Sequence, residues 1–334
     1  EAAARILGVE KEVAFTAAER LVSNQRLKSF AVGDMTAYAL EELYSAEVYI
    51  AAKLHALSNF KFPYVLEGLD EQIAQLEEKY NIRSLIMADG PAGIRLRQSY
   101  EVNREDDSVY GMGVLGSLEN GYLEPMVYHE NADLYYQYCT AFPVGTALAQ
   151  TWDPKLLEIF GEAVAEEMRE FHVDLWLVPG MNIHRNPLCG RNFEYFSEDP
   201  YVSGKMAAAA VRGIQSRGRA ACPKHFACNN QEYKRNRNDS RVSERALREI
   251  YLKGFEIAVK QGGATAIMTA YNPVNGYWSA GNYDLTTTIL RDEWKYEGFV
   301  MTDWWAKITD LDGKESNDDY ASMVKAVNDV YMVM

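Results

Sequence analysis

From Ile82 onward the chain alternates short apolar runs with amphipathic helical stretches, and that rhythm restricts the possible folds more than any other feature of the sequence. The runs are Leu85-Ile86-Met87-Ala88, residues 173–178, Ala220-Ala221-Cys222, residues 264–268, Phe299-Val300-Met301 and Val330-Tyr331-Met332-Val333, with a weaker candidate at Pro143-Val144-Gly145. They are too short for core helices and too uniformly apolar for strands with one wet face, so they read as parallel strands buried on both sides. The helices between them have clear starts. Asp153-Pro154 and Asp199-Pro200 each pair a carboxylate N-cap with proline at the first helical position, where its missing N–H costs nothing. Leu156, Phe160, Val164 and Met168 recur behind the first, and Leu247, Ile250, Tyr251 and Phe255 behind a cap at Ser243. About seven such units predict an α/β fold, and a TIM-type (β/α)8 barrel, complete or imperfect, fits residues 81–334 better than an open sheet.

Residues 1–80 read differently. Ala17, Leu21 and Leu27 lie in one helical candidate, residues 36–57 carry Leu40, Leu43, Ile50, Leu54 and Leu57 at helical spacing, and residues 70–80 form a third. A helical leader or cap packed on the main domain is expected. Residues 99–140 interrupt the strand–helix rhythm with a long polar and aromatic loop. It holds Gly111-Met112-Gly113-Val114-Leu115-Gly116, which has dinucleotide-fingerprint spacing but no strand before it. That loop is expected instead to bring Tyr110, Tyr122 or Tyr128 to a cleft wall.

A formal charge of -14 argues against nucleic-acid partners, since such affinity rests on Lys and Arg neutralising phosphates. There is no apolar run long enough to span a membrane and no secretory signal at Glu1-Ala2-Ala3-Ala4-Arg5. Cytoplasmic residence is expected, with secretion open if a leader has been removed. Cys139, Cys189, Cys222 and Cys228 lack metal-type spacing, so reduced core thiols, no metal and no cofactor are expected.

Each candidate strand ends in a dense polar cluster. Asp89-Gly90-Pro91-Ala92-Gly93-Ile94-Arg95 follows the first run, His184 and Arg191 follow the second, and Lys224-His225-Phe226, with Glu232 and Arg235 close behind, follows the third. Met268-Thr269-Ala270-Tyr271-Asn272 and Thr302-Asp303-Trp304-Trp305 close the next two. Strand C-termini of a barrel converge on one face, so these residues describe one pocket. Carboxylates, cations, amides, an imidazole and indoles together suit a sugar, whose hydroxyls take paired hydrogen bonds while its apolar face lies on a ring.

These motifs, together with Gly190-Arg191-Asn192-Phe193-Glu194-Tyr195-Phe196-Ser197-Glu198-Asp199-Pro200 and residues 242–251, resemble the barrel domain of glycoside hydrolase family 3 over about residues 84–334. The likeness is greatest to its β-glucosidases. It implies a retaining hydrolase with Asp303 as nucleophile, and a subsite for the non-reducing sugar lined by Asp89, Arg95, Arg191, Lys224, His225, Arg235, Met268, Tyr271 and Trp304. Asp89 resembles the group that grips outer hydroxyls of a hexose, which favours glucosides over xylosides. Nearby Lys224, Arg191 and Arg235 are expected to lower the pKa of Asp303.

A retaining mechanism also needs a second carboxyl group about 5 Å away. The family usually carries that acid/base Glu on a separate domain, so a further domain or chain is the expected partner beside a β-glucoside or oligosaccharide. Glu194, Glu198, Glu232 and Asp239 are the carboxylates in site-facing stretches, and none is an evident substitute. A β-N-acetylhexosaminidase reading loses ground because the loop Phe226-Ala227-Cys228-Asn229-Asn230 has no His. Two other classes remain: a non-catalytic glucose-binding or scaffold module, and an aldolase with Lys224 as Schiff-base amine.

Overall fold

The computed structural model describes residues 85–110, 128–309, 314–316 and 320–332, together with residues 19, 20 and 23 and the strands Leu27–Val32 and Met35–Leu40. The chain divides into two compact units, Glu1–Tyr80 and Asn81–Met334.

In the first unit residues 19, 20 and 23 are helical, and Leu27–Val32 pairs antiparallel with Met35–Leu40, Val32 facing Met35 and Leu27 facing Leu40. This corrects the all-helical reading of the leader. Leu27 closes no helix, and the helix expected from Thr36 is a strand through Leu40. The alternation Phe30, Val32 and Tyr38, Leu40 suits a strand as well as a helix, and Gly33-Asp34 is a dipeptide that two-residue hairpins favour. The remainder of that helix, the candidate at 70–80, Tyr122 and the glycine motif at 111–116 lie outside the described residues.

In the second unit the apolar runs form parallel strands: β1 (Met87–Ala88), β2 (Leu175–Trp176), β3 (Ala220–Ala221), β4 (Ala266–Met268) and β5 (Phe299–Met301). Met87 pairs with Leu175, Leu175 with Ala220, and Ala266 with Phe299. Single parallel bridges continue the order, Phe226 to Thr269 between β3 and β4, and Met301 to Val330 beyond β5. Among the described residues this pairing does not close into a ring. The fold is a mixed α/β one, with parallel strands in chain order and helices between them.

Period-two alternation sorts the strand side chains. Met87, Leu175, Leu177, Cys222, Met268, Met301 and Met332 share one inner cluster. Ala88, Trp176, Val178 and Ala221 point outward onto Val164 and Met168 of α2 (Pro154–Glu170) and Val211 and Ile214 of α3 (Pro200–Ser216). The weak candidate at 143–145 is no strand. Val144 is extended for one residue and α1 (Gly145–Ala149) begins there, with the Thr146 hydroxyl donating to Asn192 O and Tyr195 O. Nor are residues 99–140 simply a loop. Ser99–Asn103 pairs antiparallel with Ala132–Tyr136, and Tyr100 stacks on Tyr135. Both segments are rich in the β-branched and aromatic residues that strands favour.

Asp153 and Asp199 cap α2 and α3, each accepting two backbone N–H bonds at the helix start. On α2 the buried stripe runs through Leu157, Gly161, Val164, Ala165 and Met168, whereas Leu156 is exposed. A strict four-residue step overshoots the 3.6-residue turn by about 40° each time, which carries the expected stripe off the core by Leu156. α2 and α3 meet through glycines. A Cβ at Gly161 would overlap Ala210 O, and one at Gly213 would overlap Glu158 O. Gly213→Ala is therefore expected to force the helices apart at a cost of about 1–3 kcal/mol, lowering Tm by roughly 2–4 °C per kcal/mol. A thermal melt that does not move would show that this contact is slack.

Candidate active site

The turn after β1 is built around Gly90, whose φ of 132° no other residue adopts readily and whose Cβ would strike Gly93 O. The Trp176 indole N–H donates to Gly90 O at 3.0 Å, and Arg95 N–H donates to Asp89 O at 2.7 Å, so Asp89 and Arg95 stand side by side. From β3, Lys224 reaches the same place. Its Nζ, on a side chain only 3% exposed, donates to Asp89 Oδ1 at 2.7 Å, while Arg95 lies 3.5 Å from Oδ2. Partial burial pushes the Asp89 carboxyl up, but the charge and hydrogen bond of Lys224, the Gly90 N–H and Arg95 outweigh it and hold the pKa at about 2. Asp89 is thus a fixed anion whose side chain keeps 34% of its surface open to a ligand.

Asp303 leaves the C-terminal end of β5 and is 4% exposed. Trp304 N–H donates to its Oδ1 at 2.8 Å; its buried Oδ2 lies 3.6 Å from His225 Nε2 and accepts no hydrogen bond among the described residues. Here the electrostatic expectation is corrected. Burial raises the carboxyl to about 6, outweighing the Trp304 N–H, Lys224, Arg191 and Arg235, all of which lower it. Taking the anion out of water costs more than three neighbouring cations return.

His225 is buried and held well below its ordinary pKa, first by burial and then by Arg191, Lys224 and Arg235, so it faces Asp303 as neutral imidazole. Asn182 clamps its backbone, accepting His225 N–H at 2.9 Å and donating to His225 O at 2.9 Å. Behind it runs a chain of charges. Arg191 pairs with Glu194 at 2.5 Å and lies 3.9 Å from Glu232; Glu232 pairs with Arg235 at 2.9 Å; and Arg235 stacks over the Tyr271 ring at 4.2 Å. Burial and the charge of Asp303 push the Tyr271 phenol upward, so it stays a donor beside the carboxylate.

Asp89, Arg95, Arg191, Lys224, His225, Arg235, Tyr271, Trp304 and Asp303 therefore form one connected array. Met268 is different, since it packs in the inner apolar cluster beneath. Asn182, Asn229 and Tyr195 also belong to the array; all three lie in strand-end stretches expected to face the site, though none was expected in the sugar subsite, and the tie of Tyr195 to His225 crosses from one loop to another. Lys224, locked to Asp89, makes a poor Schiff-base amine. The two buried thiols are inert, with burial pushing Cys228 up to about 12 and Cys222 upward as well.

The glycosyl hydrolase family 3 N-terminal domain matches residues 69–334. The chain is 54% identical over 193 residues to a β-glucosidase of Ruminococcus albus, covering 58% of this chain and 20% of that one. It is 52% identical over 167 residues to an exo-α-(1→6)-L-arabinopyranosidase of Bifidobacterium breve, covering 50% of this chain and 22% of that enzyme. The structure of β-glucosidase 3B from Thermotoga neapolitana in complex with glucose superposes with a TM-score of 0.62 at 45% identity, covering 76% of this chain and 30% of that one. The chain thus spans between a fifth and a third of the length of these relatives. A family match over residues 69–334, most of its length, makes this chain a member of glycosyl hydrolase family 3.

Proposed function

We propose that the chain forms the glycone-binding half of a retaining β-glucosidase, its parallel strands completing a closed (β/α)8 barrel. The observation that carries this reading is Asp303: a buried carboxylate with one oxygen uncommitted, facing an array of fixed donors around Asp89 and Lys224. In this mechanism Asp89 accepts hydrogen bonds from outer sugar hydroxyls and Lys224 and Arg95 hold it in place. Asp303 Oδ2 attacks the anomeric carbon, the glycosidic bond breaks, and a glycosyl ester forms that water later hydrolyses. The group that protonates the leaving oxygen comes from polypeptide outside this chain. The carboxylates nearest the array support that assignment, because Glu194 and Glu232 are both committed to arginines.

A 2-deoxy-2-fluoro glucoside with an activated leaving group is expected to trap the full-length enzyme as a covalent adduct on the peptide containing Asp303. Glucose release from aryl β-glucosides should fall about tenfold per pH unit below the Asp303 value of about 6, where the nucleophile becomes protonated. A folded, full-length protein that forms no adduct would overturn the reading and leave a binding module in its place. The arabinopyranosidase relative makes the sugar itself worth testing. An α-L-arabinopyranosyl ring lacks the hydroxymethyl of β-D-glucose and has the opposite configuration at C4, so the ratio of kcat/KM on the two aryl glycosides measures those two differences together.

A further inference from the structure

Tyr195 is fully buried on the loop between β2 and α3. Its backbone is tied down on two sides, its carbonyl accepting from the Thr146 hydroxyl at 2.8 Å and lying 3.1 Å from His184 Nε2. Its phenol oxygen lies 3.2 Å from His225 Nδ1 and accepts from Asn229 Nδ2 at 3.3 Å. We propose that Tyr195 is a positioning residue that fixes the tautomer of His225, holding the ring proton on Nε2, where it faces Asp303. The proposal rests on Asp303 being the nucleophile.

A neutral imidazole has one N–H and one lone pair, and whichever nitrogen accepts leaves the proton on the other. The Tyr195 oxygen already accepts from Asn229, so its own proton is directed to the remaining neighbour, Nδ1. In the competing tautomer Nδ1–H would donate to the Tyr195 oxygen, leaving the buried phenol proton with no acceptor among the described residues, or to Asn182 Oδ1. That contact is longer, 3.4 Å, and Oδ1 already accepts the His225 backbone N–H at 2.9 Å. Burial keeps the phenol protonated, against the charge of Arg191, and keeps the ring neutral, so both partners stay in the states the relay requires. The order of donation is then Asn229 to Tyr195, Tyr195 to His225 Nδ1, and His225 Nε2–H toward Asp303 Oδ2 at 3.6 Å. With the other tautomer a lone pair would face the carboxylate 3.6 Å away, a repulsive contact in place of an attractive one.

Nitrogen-15 NMR of the full-length enzyme, with the His225 resonance identified by its loss in His225→Gln, reads the tautomer directly. The expected wild-type spectrum shows protonated Nε2 and unprotonated Nδ1; the reverse assignment overturns the proposal without any further variant. Tyr195→Phe keeps the ring and removes the donor. It is expected to shift His225 toward the Nδ1–H form and to lower kcat roughly tenfold with a smaller change in KM, the scale seen when a partner that orients a histidine is lost. A Tyr195→Phe enzyme that folds with the Nε2–H form and kcat unchanged would also overturn it. If the variant does not fold, the wild-type spectrum decides. The fluoro-sugar adduct does not report the tautomer, so failure of this inference and failure of the nucleophile assignment are separate results.

Discussion

Replacing Asp303 with asparagine is expected to abolish turnover and, at neutral pH, to relieve the folded protein of a cost. Without the attacking carboxylate no glycosyl ester forms, and loss of a covalent nucleophile costs on the order of 10⁴-fold or more in kcat. The stability effect follows from the raised pKa. An Asp held at about 6 in the folded chain, against 3.8 unfolded, is stabilising while protonated and loses that contribution as pH rises from about 4 through about 6. Roughly two pK units correspond to about 3 kcal/mol. Asparagine has no such titration, and whatever its amide costs in the pocket is the same at every pH. The stability difference between the variant and the wild type should therefore shift by about 2.5 kcal/mol in favour of the variant between pH 4 and pH 7, as read from denaturant midpoints. A difference that stays flat with pH would mean that Asp303 is well solvated or fully compensated, contrary to the burial described above. In the proposed mechanism nucleophilicity and burial are linked: the desolvation that raises the Asp303 pKa would leave the carboxylate little hydration to shed when it meets the sugar.

What could be read in the sequence and what could not divide along a physical line. Local chemistry was legible. The apolar run Phe299-Val300-Met301 predicts a buried strand, and a strand that ends in Asp303 delivers that carboxylate to the face where other strand ends converge. Asp89 and Lys224 were legible in the same way, although their direct pairing across the sheet was not. Quantities that depend on surroundings were hidden. The cations around Asp303 are visible as letters, but how completely the folded chain covers the carboxylate is not, and that decided the direction of its pKa. Tyr195 was hidden for a related reason, since its partner lies 30 positions away on another loop. The hairpin Leu27–Leu40 escaped because its apolar residues fit both periods. On α2 the phase of the stripe was set by packing against α3, which sequence spacing alone cannot fix.

The second large effect is expected at Lys224. Lys224→Met keeps the length of the side chain and removes the charge, leaving Asp89 with only Arg95, at 3.5 Å, as a cationic partner. Breaking a buried ion pair from one side typically costs about 3–5 kcal/mol; because Asp89 keeps a third of its surface in solvent, screening reduces the expected loss to about 2 kcal/mol. The pH dependence gives the sign. Asp89 is depressed to about 2, so its contribution is present above its unfolded value of 3.8 and is lost as pH falls through 2. The penalty of Lys224→Met should accordingly be largest above pH 4 and shrink below it, the opposite trend to Asp303→Asn. Adding Asp89→Asn to Lys224→Met removes the stranded anion, so the double variant should be less destabilised than the sum of the singles by about 1–2 kcal/mol. Activity should separate the two roles of the pair. If Asp89 grips sugar hydroxyls and Lys224 fixes its direction, each single variant loses roughly 10²–10³-fold in kcat/KM, and the double loses little more, because a hydroxyl that finds no fixed acceptor is already lost in either one. Fully additive losses in kcat/KM would instead mean that the two side chains contact the sugar independently, and the pair would then be two separate binding groups.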